Sequence, residues 1–185
     1  MAGTLVLVVG PSGAGKDTLI GAARGALVGD PGFVFPRRMV TREAVAALED
    51  HDTISREAFA DGRANGDFAL CWEAHGLGYA LPASIAADLA AGRTVVANVS
   101  RQVLADAASR YPCRIVVVTA DPAVRANRLA GRGRETAAEV AARLVREGAE
   151  VPAGIAPVTV VDNSGPLESG VSAFVAALSD FSAVR

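Results

Sequence analysis

Apolar residues along the chain come in two alternating patterns: short unbroken runs, and longer stretches in which they recur about every three to four residues. Thr4–Val9 (TLVLVV) is an unbroken run rich in β-branched residues, which predicts a strand buried on both faces. Asp17–Leu27 predicts a helix, stopped by Gly29-Asp30-Pro31-Gly32. Phe33–Thr41 holds a short strand. From Arg42 to Tyr79 polar clusters and glycines break the pattern, and the region reads as an inserted subdomain. Alternation then resumes, with a helix over Pro82–Ala91 stopped by Gly92, a strand over Thr94–Val99, a helix over Gln102–Arg110 and a strand over Cys113–Thr119. Asp121-Pro122 caps a helix over Pro122–Ala130. After a charged break at Arg132–Glu135 come a helix over Thr136–Gly148, a strand over Pro157–Val161 and a helix from about Pro166 to Phe181. Strands separated by helical lengths imply βαβ units, hence an α/β fold with a parallel sheet and helices on both faces.

Composition narrows the function classes. The chain has 185 residues, 51% of them hydrophobic, enough for one domain with a sizeable core. A formal charge of −2 excludes a broadly basic nucleic-acid face but leaves room for a local basic cleft. Cys71 and Cys113 are too far apart to suggest a metal cluster or a disulfide framework, and they read as small hydrophobes in a reducing compartment. No apolar run approaches the roughly 20 residues of a membrane span, and no charged leader precedes TLVLVV. The expectation is a cytoplasmic protein without membrane or nucleic-acid partners; a homodimer is left open.

The chemistry begins at GPSGAGKDT. Gly10, Pro11, Ser12, Gly13, Ala14, Gly15 and Lys16 fit GxxxxGK, the phosphate-binding P-loop, between a predicted strand and a predicted helix, which is the context the motif needs. Glycines let backbone N–H groups turn inward on phosphate oxygens, and the following helix adds its positive end. Lys16 can reach the β- and γ-phosphates of ATP and stabilise the transferring group. Asp17 stands where a hydroxyl usually follows the lysine. An acid suits the first turn of a helix, yet beside a triphosphate it is repelled unless a cation intervenes. With Mg²⁺ present it becomes a hard oxygen ligand, so Asp17 is the candidate metal residue, and Thr18 is a hydroxyl alternative. The strand ending in Asn98 and Ser100 lacks the Asp that often holds magnesium water in P-loop enzymes, acidity that Asp17 would supply.

A second signal is RLAGRGRE, with Arg128 and Arg132 four apart and therefore on one helix face, followed by Arg143. Gly131 and Gly133 allow bending. An arginine-rich lid closing over a nucleotide would exclude water and neutralise transition-state charge, whereas the plain alternative is a solvated helix face paired with Glu135 and Glu139. Arg38 and Arg42 lie after the first helix, and Arg101 follows the strand ending at Asn98-Val99-Ser100, where open α/β sheets collect ligands.

Taken in order, GPSGAGK, the basic stretch ending in VTR at Arg42, RLAGRGRE and Arg143-Leu144 resemble the guanylate kinase-like branch of the P-loop kinases over nearly the whole chain. The resemblance implies a P-loop NTPase-type fold in a single kinase domain, with a core of 1–32 and 80–185, an acceptor-binding insert of about 33–79 and a lid of about 128–143. It implies that Arg128, Arg132 and Arg143 contact nucleotide and acceptor phosphates and that Arg42 holds the acceptor phosphate. The departures are the loss of acids. Leu70 and Cys71 stand where a base-reading Glu is expected, Asn98 and Ser100 where two acids end the central strand, and His51 in place of a tyrosine.

Within that branch, the Asp17 of GPSGAGKDT, VTRE, Glu49-Asp50-His51, WEAHGLGYA and NVSR are most similar to the ribose 1,5-bisphosphate phosphokinases. This implies transfer of the ATP γ-phosphate to the 1-phosphate of ribose 1,5-bisphosphate, giving 5-phosphoribosyl 1-diphosphate, in phosphonate breakdown. The residues agree with it: a phosphate acceptor is already an ionised nucleophile and needs no general base. What it needs is cations, which Lys16, Arg38, Arg42, Arg101, Arg128, Arg132, Arg143 and Mg²⁺ would provide. The resemblance puts His51 at the acceptor; from its own acidic surroundings it is either a metal ligand or part of a solvated loop. Trp72, His75 and Tyr79 would line the same pocket or serve as core, the reading preferred for Trp72. Two other functions stay open: a guanylate kinase, and a non-catalytic scaffold, against which the intact phosphate loop argues.

Overall fold

The computed structural model describes residues 2–42, 51–130 and 151–179. In chain order these residues form β1 (Thr4–Val9), α1 (Lys16–Ala26), β2 (Phe33–Val34), β3 (Arg38–Val40), β4 (His51–Thr53), α2 (Arg56–Asn65), β5 (Phe68–Ala74), β6 (Leu77–Pro82), α3 (Ile85–Ala90), β7 (Thr94–Asn98), α4 (Leu104–Arg110), β8 (Cys113–Thr119), α5 (Pro122–Ala130), β9 (Val158–Asp162) and α6 (Leu167–Ser179). Five strands make a parallel sheet in the order β2-β7-β1-β8-β9. The central strand β1 is apolar on both faces because both are covered. Leu5, Leu7 and Val9 pack with Val95, Ala97 and Ile115 under α3 and α4; Val6 and Val8 pack with Val96, Val116 and Val118 under α1 and α6. Phe174 and Leu178 of α6 and Leu19 of α1 are fully buried there. The carboxyl end of β1 therefore opens into the glycine loop at the middle of the sheet, where ligands collect in such folds.

The insert is more ordered than its sequence pattern suggests. Residues after Arg42, expected to be irregular, join β3 in a second sheet of order β4-β3-β6-β5, with β3 and β4 parallel and the other pairs antiparallel, while the strand expected over Phe33–Thr41 splits into β2 of the main sheet and β3 of this one. Its strands β3 and β4 are three residues each, too short for a period-2 signal to show. The β5–β6 hairpin turns on His75 and Gly76, both at positive φ (53° and 73°), the backbone of a tight two-residue turn. Ser55 caps α2, its Oγ accepting the Ala58 N–H at 3.0 Å. One face of this sheet meets Phe59 of α2, which packs so close to Gly78 that a Cβ there would overlap its ring. From the other face Leu70, Trp72 and Leu81 enter the same core cluster as Leu5 and Leu104, so the insert and the main sheet share one hydrophobic core.

Some expected boundaries move. The boundary placed near residue 79 falls within β6, which runs to Pro82, so the helix expected from Pro82 begins at Ile85. The helix expected from Gln102 opens with a 3₁₀ turn at Arg101–Val103, where Ser100 Oγ accepts the Gln102 N–H at 3.3 Å. The helix expected over Thr136–Gly148 and most of the expected lid lie outside the described residues.

Candidate active site

The loop between β1 and α1 has the backbone the motif requires. Gly10, Gly13 and Gly15 have φ of 150°, 78° and 90°. At Gly10 a side chain would run into the Val118 carbonyl of β8, and at Gly15 into the Asn163 amide, so both positions exclude a Cβ by space as well as by conformation. Gly15 caps α1, and Lys16, Asp17 and Thr18 form its first turn. The Lys16 ammonium donates to the carbonyls of Gly10 (2.7 Å) and Pro11 (3.0 Å), which holds the cation over the loop.

Asp17 is tied to two parts of the fold. Its Oδ1 accepts from the Asn98 side-chain amide at 2.6 Å, at the carboxyl end of β7. Its Oδ2 lies 3.8 Å from the Arg38 guanidinium of the insert. With Asp17 about half exposed this ion pair is screened and contributes little stability. Arg38 also lies over the Tyr79 ring, 5.7 Å from its centroid. Tyr79 in turn stacks on Trp72, with centroids 5.4 Å apart and an interplanar angle of 6°. Trp72 is buried in the core, the place expected for it.

Arg128, at the end of α5, lies against the phosphate loop: it donates to the Gly13 carbonyl at 3.4 Å and to the Asn163 carbonyl at 2.9 Å. Arg132 and Arg143 lie outside the described residues. Ser100 and Arg101 sit just past β7, at the same carboxyl edge as the loop, with Ser100 Oγ occupied in the cap of the 3₁₀ turn. Arg42 follows β3 and is exposed. His51 is neither in a loop nor solvated: it opens β4, pairs in register with Arg38 and is 1% exposed. Its Nε2 donates to the Arg42 carbonyl at 3.2 Å, so the imidazole braces the strand end that carries Arg42. The acidic neighbour Asp52 pairs with Arg37 at 3.2 Å.

Asn163 is a site residue that the sequence reading passed over. It is 2% exposed; its amide donates to the Ala14 carbonyl at 2.8 Å while its own carbonyl receives Arg128. One residue thus joins the phosphate loop to the helix that carries Arg128. The signal was the polar cluster Asp162-Asn163-Ser164 at the carboxyl end of a parallel strand.

Among the described residues no three His, Cys, Asp or Glu side chains converge as a metal cluster. A magnesium ion here would instead be shared between nucleotide phosphate and the hard oxygens of Asp17 and Thr18, a donor set that suits it.

No family model matches the chain. Curated relatives do. It is 50% identical, over 96% of its length and 98% of the relative's, to "Ribose 1,5-bisphosphate phosphokinase PhnN" of Methylobacterium radiotolerans. It is 54% identical to the protein of that name in Acidiphilium cryptum, over 95% of this chain and 92% of that one. The chain belongs to the ribose 1,5-bisphosphate phosphokinase PhnN family. A "Bifunctional ribose 1,5-bisphosphokinase-thymidine phosphorylase" of Cupriavidus necator carries a PhnN-like region as well: 49% identity spans 95% of this chain but 29% of that longer protein. Among solved structures, the guanylate kinase of Anaplasma phagocytophilum superposes with a TM-score of 0.65 at 15% identity, covering 96% of this chain and 86% of that one. That similarity shows the fold: the chain is guanylate kinase-like, with a parallel P-loop sheet. None of its described helices is long and apolar enough to cross a membrane.

Proposed function

We propose that the protein transfers the γ-phosphate of ATP to the 1-phosphate of ribose 1,5-bisphosphate, forming 5-phospho-α-D-ribose 1-diphosphate, as part of phosphonate catabolism. The observation that carries the reading is the approach of Arg38, from the insert, to Asp17, the residue after the phosphate-loop lysine. It brings an acceptor-side cation to the mouth of the nucleotide loop in a chain about half identical to ribose 1,5-bisphosphate phosphokinases.

In this reading the loop N–H groups and the start of α1 hold the β- and γ-phosphates, and Lys16 turns from its own loop carbonyls to the transferring group. Asn163 keeps Ala14 in place, and Arg128 follows the nucleotide phosphates. Arg38 and Arg42, with Arg101 and Ser100 at the end of β7, receive the two acceptor phosphates, and His51 sets Arg42. Arg132 and Arg143 complete the phosphate cage. Mg²⁺, held by Asp17 with Thr18, would neutralise charge between the β- and γ-phosphates. The acceptor oxygen is ionised at neutral pH, so these residues act through position and charge and no proton is abstracted.

The test is a comparison of initial rates with ATP and either ribose 1,5-bisphosphate or GMP as acceptor. Turnover of the bisphosphate well above that of GMP supports the reading. Efficient GMP phosphorylation with an inert bisphosphate rejects it in favour of a nucleoside monophosphate kinase.

A further inference from the structure

The Tyr79 ring is flanked by two side chains of its own chain. Trp72, on β5, lies parallel to it with centroids 5.4 Å apart, and the Arg38 guanidinium, on β3, lies 5.7 Å from its centroid. The strand order β3-β6-β5 fixes Tyr79 between them. At the outer end of this row, Arg38 reaches toward Asp17 beside the phosphate loop.

We propose that the row Trp72–Tyr79–Arg38 determines acceptor specificity: it favours acceptors by the charge of their phosphates and gives no purchase to a heterocyclic base. Arg38 is the residue that touches substrate. Trp72 and Tyr79 are positioning residues that act through it. The inference rests on the phosphate-accepting reading given above.

An aromatic ring beside a nucleotide cleft ordinarily offers a face on which a base gains stacking energy. Here a base would first have to displace an indole that is 7% exposed and packed in the core with Leu70 and Leu81, or a guanidinium that is itself mostly buried. What the row offers instead is a cation with few accessible rotamers. The Arg38 side chain is 19% exposed, with its guanidinium carbon 5.7 Å from the tyrosine centroid and a terminal nitrogen 3.8 Å from the Asp17 carboxylate. A guanidinium ordered beforehand loses less conformational entropy when it forks onto a phosphate. The electron-rich face of Tyr79 keeps the cation in register, and Trp72 keeps the ring from rotating away.

The test is steady-state kinetics on wild type, Arg38→Ala, Trp72→Leu and the double variant, with ribose 1,5-bisphosphate and with GMP. We expect Arg38→Ala to raise the bisphosphate KM about a hundredfold and Trp72→Leu about tenfold, both with ATP KM held, as loss of acceptor binding requires. The double variant should be no worse than Arg38→Ala, because Trp72 acts through the arginine. Additive losses, or a loss confined to kcat, overturn the proposal. Should Trp72→Leu fail to fold, Tyr79→Leu and Tyr79→Phe serve: phenylalanine keeps the ring face and should recover most of the acceptor affinity, whereas equal losses overturn the proposal. Failure of the underlying reading is visible separately, since wild type itself would then phosphorylate GMP and leave the bisphosphate untouched.

Discussion

Asn98 donates its side-chain amide to the Asp17 carboxylate across 2.6 Å, joining the end of β7 to the first turn of α1. An acid at Asn98 in place of the amide would face Asp17 with like charge. Asn98→Asp should therefore lower stability at neutral pH by about 1 kcal/mol, a modest cost because Asp17 is half exposed and the repulsion is screened. Urea unfolding at two pH values checks it. One carboxyl of the new pair would have a raised pKa and shed the repulsion on protonation, so the deficit should shrink as pH falls toward 4. A deficit independent of pH would mean that the two groups do not meet.

Arg128 and Asn163 hold the phosphate loop from the outside. Asn163→Ala leaves the buried Ala14 carbonyl without its donor, at a cost of about 1–3 kcal/mol. It should also raise the ATP KM, since the loop loses its brace. Thermal unfolding with and without ATP–Mg²⁺ reads both effects: a lower melting temperature and a smaller rise on nucleotide addition. An unchanged nucleotide-induced shift would confine Asn163 to a structural role.

Gly15→Ala should fold poorly or lose nucleotide binding outright, because the position has φ of 90° and no space for a Cβ beside Asn163. Pairing it with Asn163→Gly separates the two causes. If crowding dominates, the double variant regains part of the ATP-dependent stabilisation; if conformation dominates, it regains none.

Burial pushes the Cys113 thiol up to about 11. A thiol that is harder to ionise in the native state than in the unfolded one favours folding below the unfolded pKa, and this contribution is lost as pH climbs from about 9 through 11. Cys113 should thus be alkylated slowly at pH 8 in native protein and rapidly in urea, which mass mapping of the modified peptide can follow. Fast native labelling of Cys113 would contradict the protection its partial burial provides.

Much of the site was legible in the sequence, and the reasons differ from residue to residue. Gly10 to Lys16 could be read because a phosphate loop needs glycines at fixed spacing between a strand and a helix, and both flanks are strongly patterned. Cys113–Thr119 and Pro122–Ala130 were placed to the residue because an apolar run and a proline at the first helical position leave little latitude. The insert was less legible. His51 looked solvated because its neighbours in sequence are acidic, yet the strand pairing that buries it is with Arg38, far away in the chain. The Trp72–Tyr79–Arg38 row likewise depends on strand order, which no local pattern encodes. Asn163 had a polar-cluster signal, but its importance comes from the loop carbonyl it meets across the fold.

The central claim is that this site joins two phosphates, and the most direct measurement follows the transferred atom. With ATP carrying isotopic label in its γ-phosphoryl group and ribose 1,5-bisphosphate as acceptor, phosphorus NMR and mass analysis of the product should find the label in the terminal phosphate of a diphosphate at ribose C1. Label released as inorganic phosphate, or recovered in a nucleoside diphosphate when GMP is supplied while the bisphosphate stays unchanged, would contradict the account.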